Sequence, residues 1–414
     1  MTCKRSDVRK AALGVLRRAV LLIVIGIATQ GGDLPEPGNP TWSGWNLETL
    51  RPCGILQRVA VVSAVTAWME LAWGGCNSEA PAHAELRQAE AGLSPLAPSE
   101  QTEPLLWTGG TDAAPRDDAP LRAAALAATR ALRQRWRQWA VTLAMLGAYS
   151  ICIFALSVPS WRADGDSPEQ ACPGRATLGP ACNAARRIDH AWLGYARMYG
   201  TPAVWNLDEC QGDDPPAFCA APFEPEGSLS TLPCLLSAQL GAHFGALYVP
   251  GKGPPVAAWA TQAVLLALAG LSVAAAGWPL NKQLWSPSYA LLTAGIIGAF
   301  MALSAHVLDG SNAFGADRPR HAPPRTRVSQ LLDPLMRPLV WVGANALLVY
   351  LGAAAGVLDA GLALLYYGSP ENNIVDLAQR TLIGGSDVLL VLVRIVAWIA
   401  IAGWLKRKNW LWAL

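Results

Sequence analysis

Residues 256–278 read VAAWATQAVLLALAGLSVAAAGW, a run without a single Lys, Arg, Asp or Glu. Residues 291–308, LLTAGIIGAFMALSAHVL, form a second run of the same kind. About 20 mostly apolar residues are enough for an α-helix to cross roughly 30 Å of hydrocarbon. Both runs therefore predict transmembrane helices, and similar segments elsewhere predict a multi-pass membrane protein rather than a soluble domain with one anchor.

The composition of the whole chain agrees with a membrane protein. Of its 414 residues, 52% are hydrophobic and 15% are charged, whereas a soluble domain carries about 25% charged residues. The formal net charge is only +2. The basic residues form no stripe interleaved with aromatic residues, so we expect no nucleic acid among the partners. Membrane lipid is the partner that the composition predicts.

Applied along the chain, the same criterion predicts an all-α, polytopic fold with about eight transmembrane helices. The predicted spans are 14–30, 54–75, 138–158, 230–249, 255–277, 287–308, 338–366 and 386–405. The seventh span is long and rich in glycine, so we expect it to be tilted or broken. The basic start of the chain resembles a signal peptide, but the run after it lacks a small-residue cleavage site. We interpret that run as the first transmembrane helix, with a signal anchor as the alternative.

Lys and Arg concentrate in alternate loops. Residues 4–18, 130–137, 318–337 and 406–408 hold most of them, and the opposite loops are sparser. Cytosolic loops carry the excess of positive charge, which predicts that both termini are cytosolic.

The predicted domains follow this order along the chain. Residues 1–75 contain the first two transmembrane helices, and 76–137 form a disordered cytosolic insert that ends in a basic amphipathic helix over 121–137. Residues 138–158 are the third span and 159–229 a luminal loop. Residues 230–414 form a C-terminal bundle of about five transmembrane helices.

Four of the nine cysteines lie in the loop at 159–229, namely Cys172, Cys182, Cys210 and Cys219. On the non-cytosolic side, four cysteines in one loop predict one or two disulfides. Free thiols or a metal site are the alternatives. No C-x-x-C spacing supports zinc, so we expect no metal.

Short motifs recur in a definite order. Residues 50–60 read LRPCGILQRVA, 182–190 read CNAARRIDH, and 222–233 read PFEPEGSLSTLP. Further along come PLNKQLWSPSY at 279–289, GANALLVY at 343–350 and KRKNWLW at 406–412. The first is similar to the Leu-Arg-Ile-Pro-Gly-Val-Leu-Gln-Arg-Ile-Ala segment of the heparan-α-glucosaminide N-acetyltransferase family. The fourth resembles that family's Asn-Lys-x-Leu-Trp-Ser, and the third its Asp-Pro-Glu-Gly stretch.

The order of these motifs over nearly the whole chain resembles the C-terminal part of that family. The resemblance implies a transmembrane acyltransferase that moves acetyl from cytosolic acetyl-CoA to the amine of a terminal glucosamine on the luminal side. It also implies an amino sugar or another small acceptor as partner and a lysosomal or other endomembrane location. We keep a homodimer open as the oligomeric state.

One family feature is absent from this sequence. Family members carry a His-Ala-x-Trp-x-Gly segment, whose histidine is regarded as catalytic, before the point that corresponds to the start of this chain. None of the five histidines lies in such a motif, so no catalytic residue is carried over. We expect an incomplete chain, and the alternatives are a truncated or inactive paralogue, or a small-molecule transporter or sugar-binding membrane protein.

Three of the substrate-binding candidates follow the fifth span. Asn281 and Lys282 could bind sugar hydroxyls or acetyl oxygens, and Trp285 could stack on a sugar ring. The alternative is interfacial anchoring, because Trp and Lys gather at membrane boundaries. Glu226 could bind an amine or simply shape the turn before the fourth span.

The remaining candidates are polar groups at membrane depth. Arg58 begins the second span and could bind substrate or extend to water. His243 lies in the fourth span and Asn345 in the seventh, where a substrate pocket or contacts between helices would each suit them. For the phosphates of acetyl-CoA the suitable residues are cytosolic, and the positive-inside rule explains each of them equally well: Arg133, Arg135, Arg137, Arg337 and Lys406 to Lys408.

Overall fold

The computed structural model describes most of the chain. The described residues are 5–30, 47–48, 50–73, 129, 133, 135–162, 169–179, 181–199, 219, 223–248, 255–308, 327–354, 356–369, 372–373, 375, 377, 380 and 387–410. The predicted insert at 76–137, with its amphipathic helix at 121–137, falls almost entirely outside them. So does Cys210. In these ranges the chain is helical, with isolated bridges in place of extended strands.

Eleven α-helices make up the described part of the fold. They are α1 (Arg5–Gln30), α2 (Ile55–Trp73), α3 (Trp136–Ala155), α4 (Ala184–Leu193), α5 (Ser228–Ala246), α6 (Val256–Ala275), α7 (Pro287–Leu308), α8 (Arg327–Ala344), α9 (Ala346–Ala354), α10 (Val357–Ala363) and α11 (Asp387–Arg407). The prediction of an all-α, polytopic membrane protein is confirmed.

Six of these helices are long and apolar enough to cross a membrane, and a seventh span results if one bent pair is counted. The six segments are Val8–Thr29, Ile55–Trp73, Trp136–Ala155, Val256–Ala275, Pro287–Val307 and Val388–Arg407. The described residues therefore contain six or seven candidate spans, against the eight predicted.

The predicted fourth span, 230–249, is not among the six candidate spans. A helix is present at α5, but its composition does not meet the criterion for a span. The physical reason is its place in the bundle. Helix α5 packs against α2, α3, α4 and α7, and Gln239 and His243 are buried. A helix enclosed by protein needs no continuous apolar surface toward lipid, so polar residues are tolerated in it.

The predicted seventh span, 338–366, is not one helix. Segments Met336–Ala344 and Ala346–Ala353 are bent by 83° about a break at Asn345, and a second break separates α9 from α10. At that second break Gly356 has a φ of 60°, a left-handed conformation that glycine adopts without steric cost. The glycine-rich composition indicated the break, and the structure gives its position.

Helices α6 and α7 form the closest pair in the bundle. A Cβ added to Gly270 would lie 2.6 Å from the backbone nitrogen of Leu292, and one added to Gly295 would lie 2.7 Å from the carbonyl oxygen of Ala263. Small residues let transmembrane backbones approach this closely, which maximises van der Waals contact where lipid offers no hydrophobic driving force.

The segment between α3 and α5 carries a small cap at one end of the bundle. Cys172 and Cys182 are joined by a disulfide, and Cys219 is disulfide-bonded as well. Asn183 begins α4 by accepting a 2.8 Å hydrogen bond from the Arg186 backbone N–H. The buried faces of α3, α4 and α5 share a core with Phe223 and Leu284, so the cap packs on the bundle rather than standing apart from it.

Candidate functional site

Four of the sequence motifs meet at this end of the bundle. The segment before α2, helix α4, the turn before α5 and the turn before α7 come together there, although the first and the last are more than two hundred residues apart along the chain. We call Arg51, Arg58, Asp189, Glu224, Glu226, Ser228 and Ser230 the cap cluster.

Arg51 is held by two carboxylates. Its Nε donates a 2.8 Å hydrogen bond to Glu224 Oε2, and its Nη2 contacts both Glu224 and Glu226. Glu224 is fully buried, whereas Arg51 and Glu226 remain partly exposed. Burial lowers the pKa of Arg51, but the hydrogen bonds and charges of the two glutamates outweigh it, so the pKa lies above its ordinary value. Glu226, a predicted substrate residue, is thus paired while still reaching solvent.

Arg58 lies one helical turn into α2 and is buried. Its Nη2 donates to the carbonyl oxygen of Pro225 and, at 2.6 Å, to Ser230 Oγ. The guanidinium carbon lies 5.5 Å from the ring centroid of Trp285. Of the two sequence-based interpretations of Arg58, extension to water is wrong. The side chain points inward, and its hydrogen bonds go to the turn before α5.

Asp189 fastens α4 to the start of α5. Its Oδ1 accepts hydrogen bonds from the Ser228 N–H at 2.8 Å and the Ser228 hydroxyl at 2.7 Å. The N-cap residue, Gly227, has no side chain to do this, so a carboxylate from another helix caps α5 instead. Burial raises the pKa of Asp189 above its ordinary value despite these bonds. Its Oδ2 has no hydrogen-bond partner among the described residues.

The turn at Asn281–Ser286 borders the cap cluster. Asn281 Oδ1 accepts the Leu284 N–H at 2.9 Å, and the Asn281 N–H donates to Ser286 Oγ at 3.0 Å. Trp285 has a φ of 51° and donates from Nε1 to Ser237 Oγ at 3.0 Å. Asn281 therefore serves the turn, while Lys282 is exposed and Trp285 half-buried beside Arg58.

An aromatic stack packs against α4 around Arg186. The Arg186 guanidinium lies 3.3 Å from the centroid of Trp161, and its Nη2 donates to the Tyr195 hydroxyl at 2.8 Å. His190 stacks on Tyr195 with the centroids 3.8 Å apart. Burial, followed by the charge of Arg186, lowers the pKa of His190. Cation–π contacts of this kind help to hold the cap together around the buried Arg186.

Cys53 lies beside the cap cluster as a free, buried cysteine. Burial, together with the charges of Glu224 and Asp189, raises the pKa of its thiol to about 12. Because the thiolate is the reactive form, the raised pKa makes Cys53 a weaker nucleophile near neutral pH. Within the described residues, no group of three His, Cys, Asp or Glu side chains could hold a metal ion.

His243 is not part of the cap cluster. It lies 15 residues after Ser228 on the same helix, which places it roughly 22 Å away along the axis. There it makes an edge contact with Trp139, with ring centroids 6.0 Å apart. One turn earlier, Gln239 Nε2 donates to Gln138 Oε1 at 3.0 Å. His243 thus belongs to a second polar group at the opposite end of α5.

Arg135 closes that second group. It forms a 2.7 Å ion pair with Glu70 and donates to the carbonyl oxygen of Ala242 at 3.0 Å. This arginine was one of the candidates for the phosphates of acetyl-CoA, and the structure uses it to join α2, α3 and α5. Asn345 lies elsewhere again, buried at the bend between α8 and α9.

Several important residues escaped the sequence analysis. Gln138 and Gln239 are neutral, so a search for charges at membrane depth does not reveal them. Arg51 reads as an ordinary loop arginine until its distant glutamates are known. Arg394 is different: it stands inside the predicted span 386–405, and the rule that intramembrane charges are functional would have singled it out.

Neither the family models nor the curated proteins include a match to this chain. The motifs described above therefore remain a resemblance.

Proposed function

We propose that the chain belongs to a transmembrane N-acetyltransferase that moves acetyl from cytosolic acetyl-CoA to the amine of a terminal glucosamine on the side of the cap, in a lysosome-like endomembrane. The observation that carries the proposal is the convergence of four family-like motifs: three supply the residues of the cap cluster, and the fourth, at 279–289, borders it through Trp285. Their resemblance to the family was drawn from sequence alone, and they meet in space at one end of the bundle.

The charge of the cap cluster suits an amine. It contains two guanidinium groups and three carboxylates, so it holds one more acidic than basic group. Among the three carboxylates, Glu226 is the one that is partly exposed to solvent. A protonated amino sugar would be attracted there, and Trp285 lies beside Arg58 of the same cluster. Glu224 and Asp189 are fully buried. In this proposal they hold Arg51 and the start of α5 in place and do not touch the sugar.

Acetyl transfer forms a bond between the amine nitrogen and the acetyl carbon, releases the CoA thiol, and requires a base to take the amine proton. The family's histidine segment does not occur in this sequence. The proposal therefore gives this chain's cap cluster a role in binding the acceptor and assigns no catalytic base.

The test uses the full chain in sealed vesicles, with acetyl-CoA outside and glucosamine inside. Mass spectrometry of the contents measures N-acetylglucosamine. We expect product in the presence of the protein and several-fold less with Glu226→Gln. Arg175→Gln, which alters an exposed arginine of the same cap, serves as the control and should match the native protein. Absence of product would refute the transferase proposal, and absence of glucosamine binding as well would refute any role of the cap cluster in binding the acceptor.

A second candidate is an amino-sugar-binding membrane protein without transferase activity. Glucosamine binding that depends on Glu226, without any acetylated product, is the result that would select this candidate over the first.

A further inference from the structure

A cavity of about 340 Å³ lies far from the cap cluster in sequence, between α8, α9, α10 and α11. Its volume falls within the range of small-molecule sites. The walls are apolar apart from one charged residue, Arg394. The lining used in the argument is Val342, Val349, Gly356, Leu358, Arg394 and Trp398.

The cavity exists because the chain breaks twice beside α11. The 83° bend at Asn345 turns α9 away from the direction of α8, and the left-handed Gly356 then separates α9 from α10. Trp398 packs so tightly on Gly352 that an added Cβ would lie 2.1 Å from its ring. The short helices are thus held against α11 at one point and leave space beside it.

Arg394 stands within a candidate membrane span. It follows Asp387, the first residue of α11, by seven positions, or roughly 10 Å of helix. The neighbouring residues Val388, Leu392 and Val396 are apolar and exposed, as expected of a helix that faces lipid. A charge at this depth is costly unless it has partners. Arg394 has an interaction within the protein, but a guanidinium has five donors and can bind an anion in addition.

We propose that this cavity binds an anionic phospholipid of the surrounding bilayer. Its phosphate contacts Arg394, and one acyl chain lies along the apolar wall formed by Val342, Val349 and Leu358. Charge complementarity selects an anionic head group, and the exposed apolar face of α11 places the cavity in contact with lipid. Basic pockets between transmembrane helices bind lipid head groups in this way. The site is independent of the acyltransferase proposal.

The test is lipid binding to the purified full chain in detergent. The protein is titrated with phosphatidylglycerol and, in a separate experiment, with phosphatidylcholine, and native mass spectrometry measures the bound lipid. We expect a preference for phosphatidylglycerol that falls about tenfold or more in Arg394→Gln, because a charge-assisted hydrogen bond is lost. Val349→Phe fills the cavity without changing the charge and should weaken phosphatidylglycerol binding as well. Arg175→Gln removes an equal charge from the cap and should bind like the native protein.

Three results would overturn the proposal. The first is equal binding of both lipids by the native protein. The second is unchanged phosphatidylglycerol binding in Val349→Phe, which would place the lipid elsewhere. The third is displacement of the lipid by inorganic phosphate alone, which would identify a site for soluble anions. If Arg394→Gln aggregates, the lipid preference of the native protein and the Val349→Phe variant decide the question.

Discussion

Substitution of Gly227 by alanine should weaken the attachment of the cap to the bundle. A Cβ added at this position would lie 1.8 Å from Asp189 Oδ2 and 2.4 Å from its Cγ. The backbone itself presents no obstacle, because Gly227 has a φ of −64° and a ψ of 173°, which any residue adopts. The requirement for glycine is therefore steric, and Asp189 must move to admit the methyl group.

The expected magnitude follows from the contacts that Asp189 would lose. Overpacking in a filled site costs about 1–3 kcal/mol. Displacement of the carboxylate also weakens its hydrogen bonds to the Ser228 N–H and hydroxyl, and a hydrogen bond to a charged group contributes about 1.5–3 kcal/mol. Alanine restricts the unfolded chain more than glycine does, which offsets about 0.4–1 kcal/mol. A net loss of about 2–5 kcal/mol is expected.

Thermal unfolding in detergent, followed by tryptophan fluorescence, measures the change. Gly241→Ala is the matched control, since it lies in the same helix and a Cβ there meets no atom within 4 Å. That control should be neutral or slightly stabilising. Removing the obstacle with Asp189→Ala in the Gly227→Ala background should give less than the sum of the two single losses. Equal Tm values for Gly227→Ala and Gly241→Ala would refute the reasoning.

Three further outcomes are expected. Arg51→Gln leaves the buried Glu224 without its cation and should lower the unfolding free energy by about 3–5 kcal/mol. Part of this loss should be recovered in the double variant with Glu224→Gln. Strictly additive Tm changes would contradict the pairing. Replacing both Cys172 and Cys182 with serine opens a loop with a sequence separation of 10. In the chain-entropy model this should lower the unfolding free energy by roughly 3 kcal/mol, measured without reductant. An unchanged Tm would show that the disulfide does not stabilise the cap. Asp189 makes stability depend on pH: its folded-state pKa lies above the ordinary 3.8, so its contribution is fully present below that value and is lost as pH rises toward the folded-state pKa. As pH rises through that window, the Tm of the native protein should therefore fall relative to the Tm of Asp189→Asn. A Tm difference that does not change with pH would show that the carboxyl is not buried.

Burial in the bundle explains why one predicted span differs from the others. Hydropathy identifies helices that face lipid, because their side chains must be apolar all round. Helix α5 is surrounded by four other helices, and its Gln239 and His243 side chains face protein. A helix in that position carries a weaker apolar signal, so the sequence supports its existence more securely than its passage through the membrane.

The candidate site was also predicted only in part from the sequence. Glu226, Arg58 and Trp285 were singled out from their motifs, and the structure brings them to one end of the bundle. Asn281 came from the strongest motif, yet it stabilises a turn. His243 and Asn345 lie elsewhere, because a polar residue in an apolar run signals a buried contact without specifying which one.

The all-α membrane class and most of the helices could be predicted from the amino-acid pattern, because the apolar length needed to cross a bilayer is a local property of each segment. Tertiary structure alone decided the partners of Arg51, the capping of α5 by Asp189, and the cavity beside Arg394. These depend on residues far apart in the chain, such as Arg51 and Glu224, whose charges meet only after the helices have packed. Local composition gives the length and polarity of a helix, whereas burial, and the pairing it enforces, belongs to the assembled bundle.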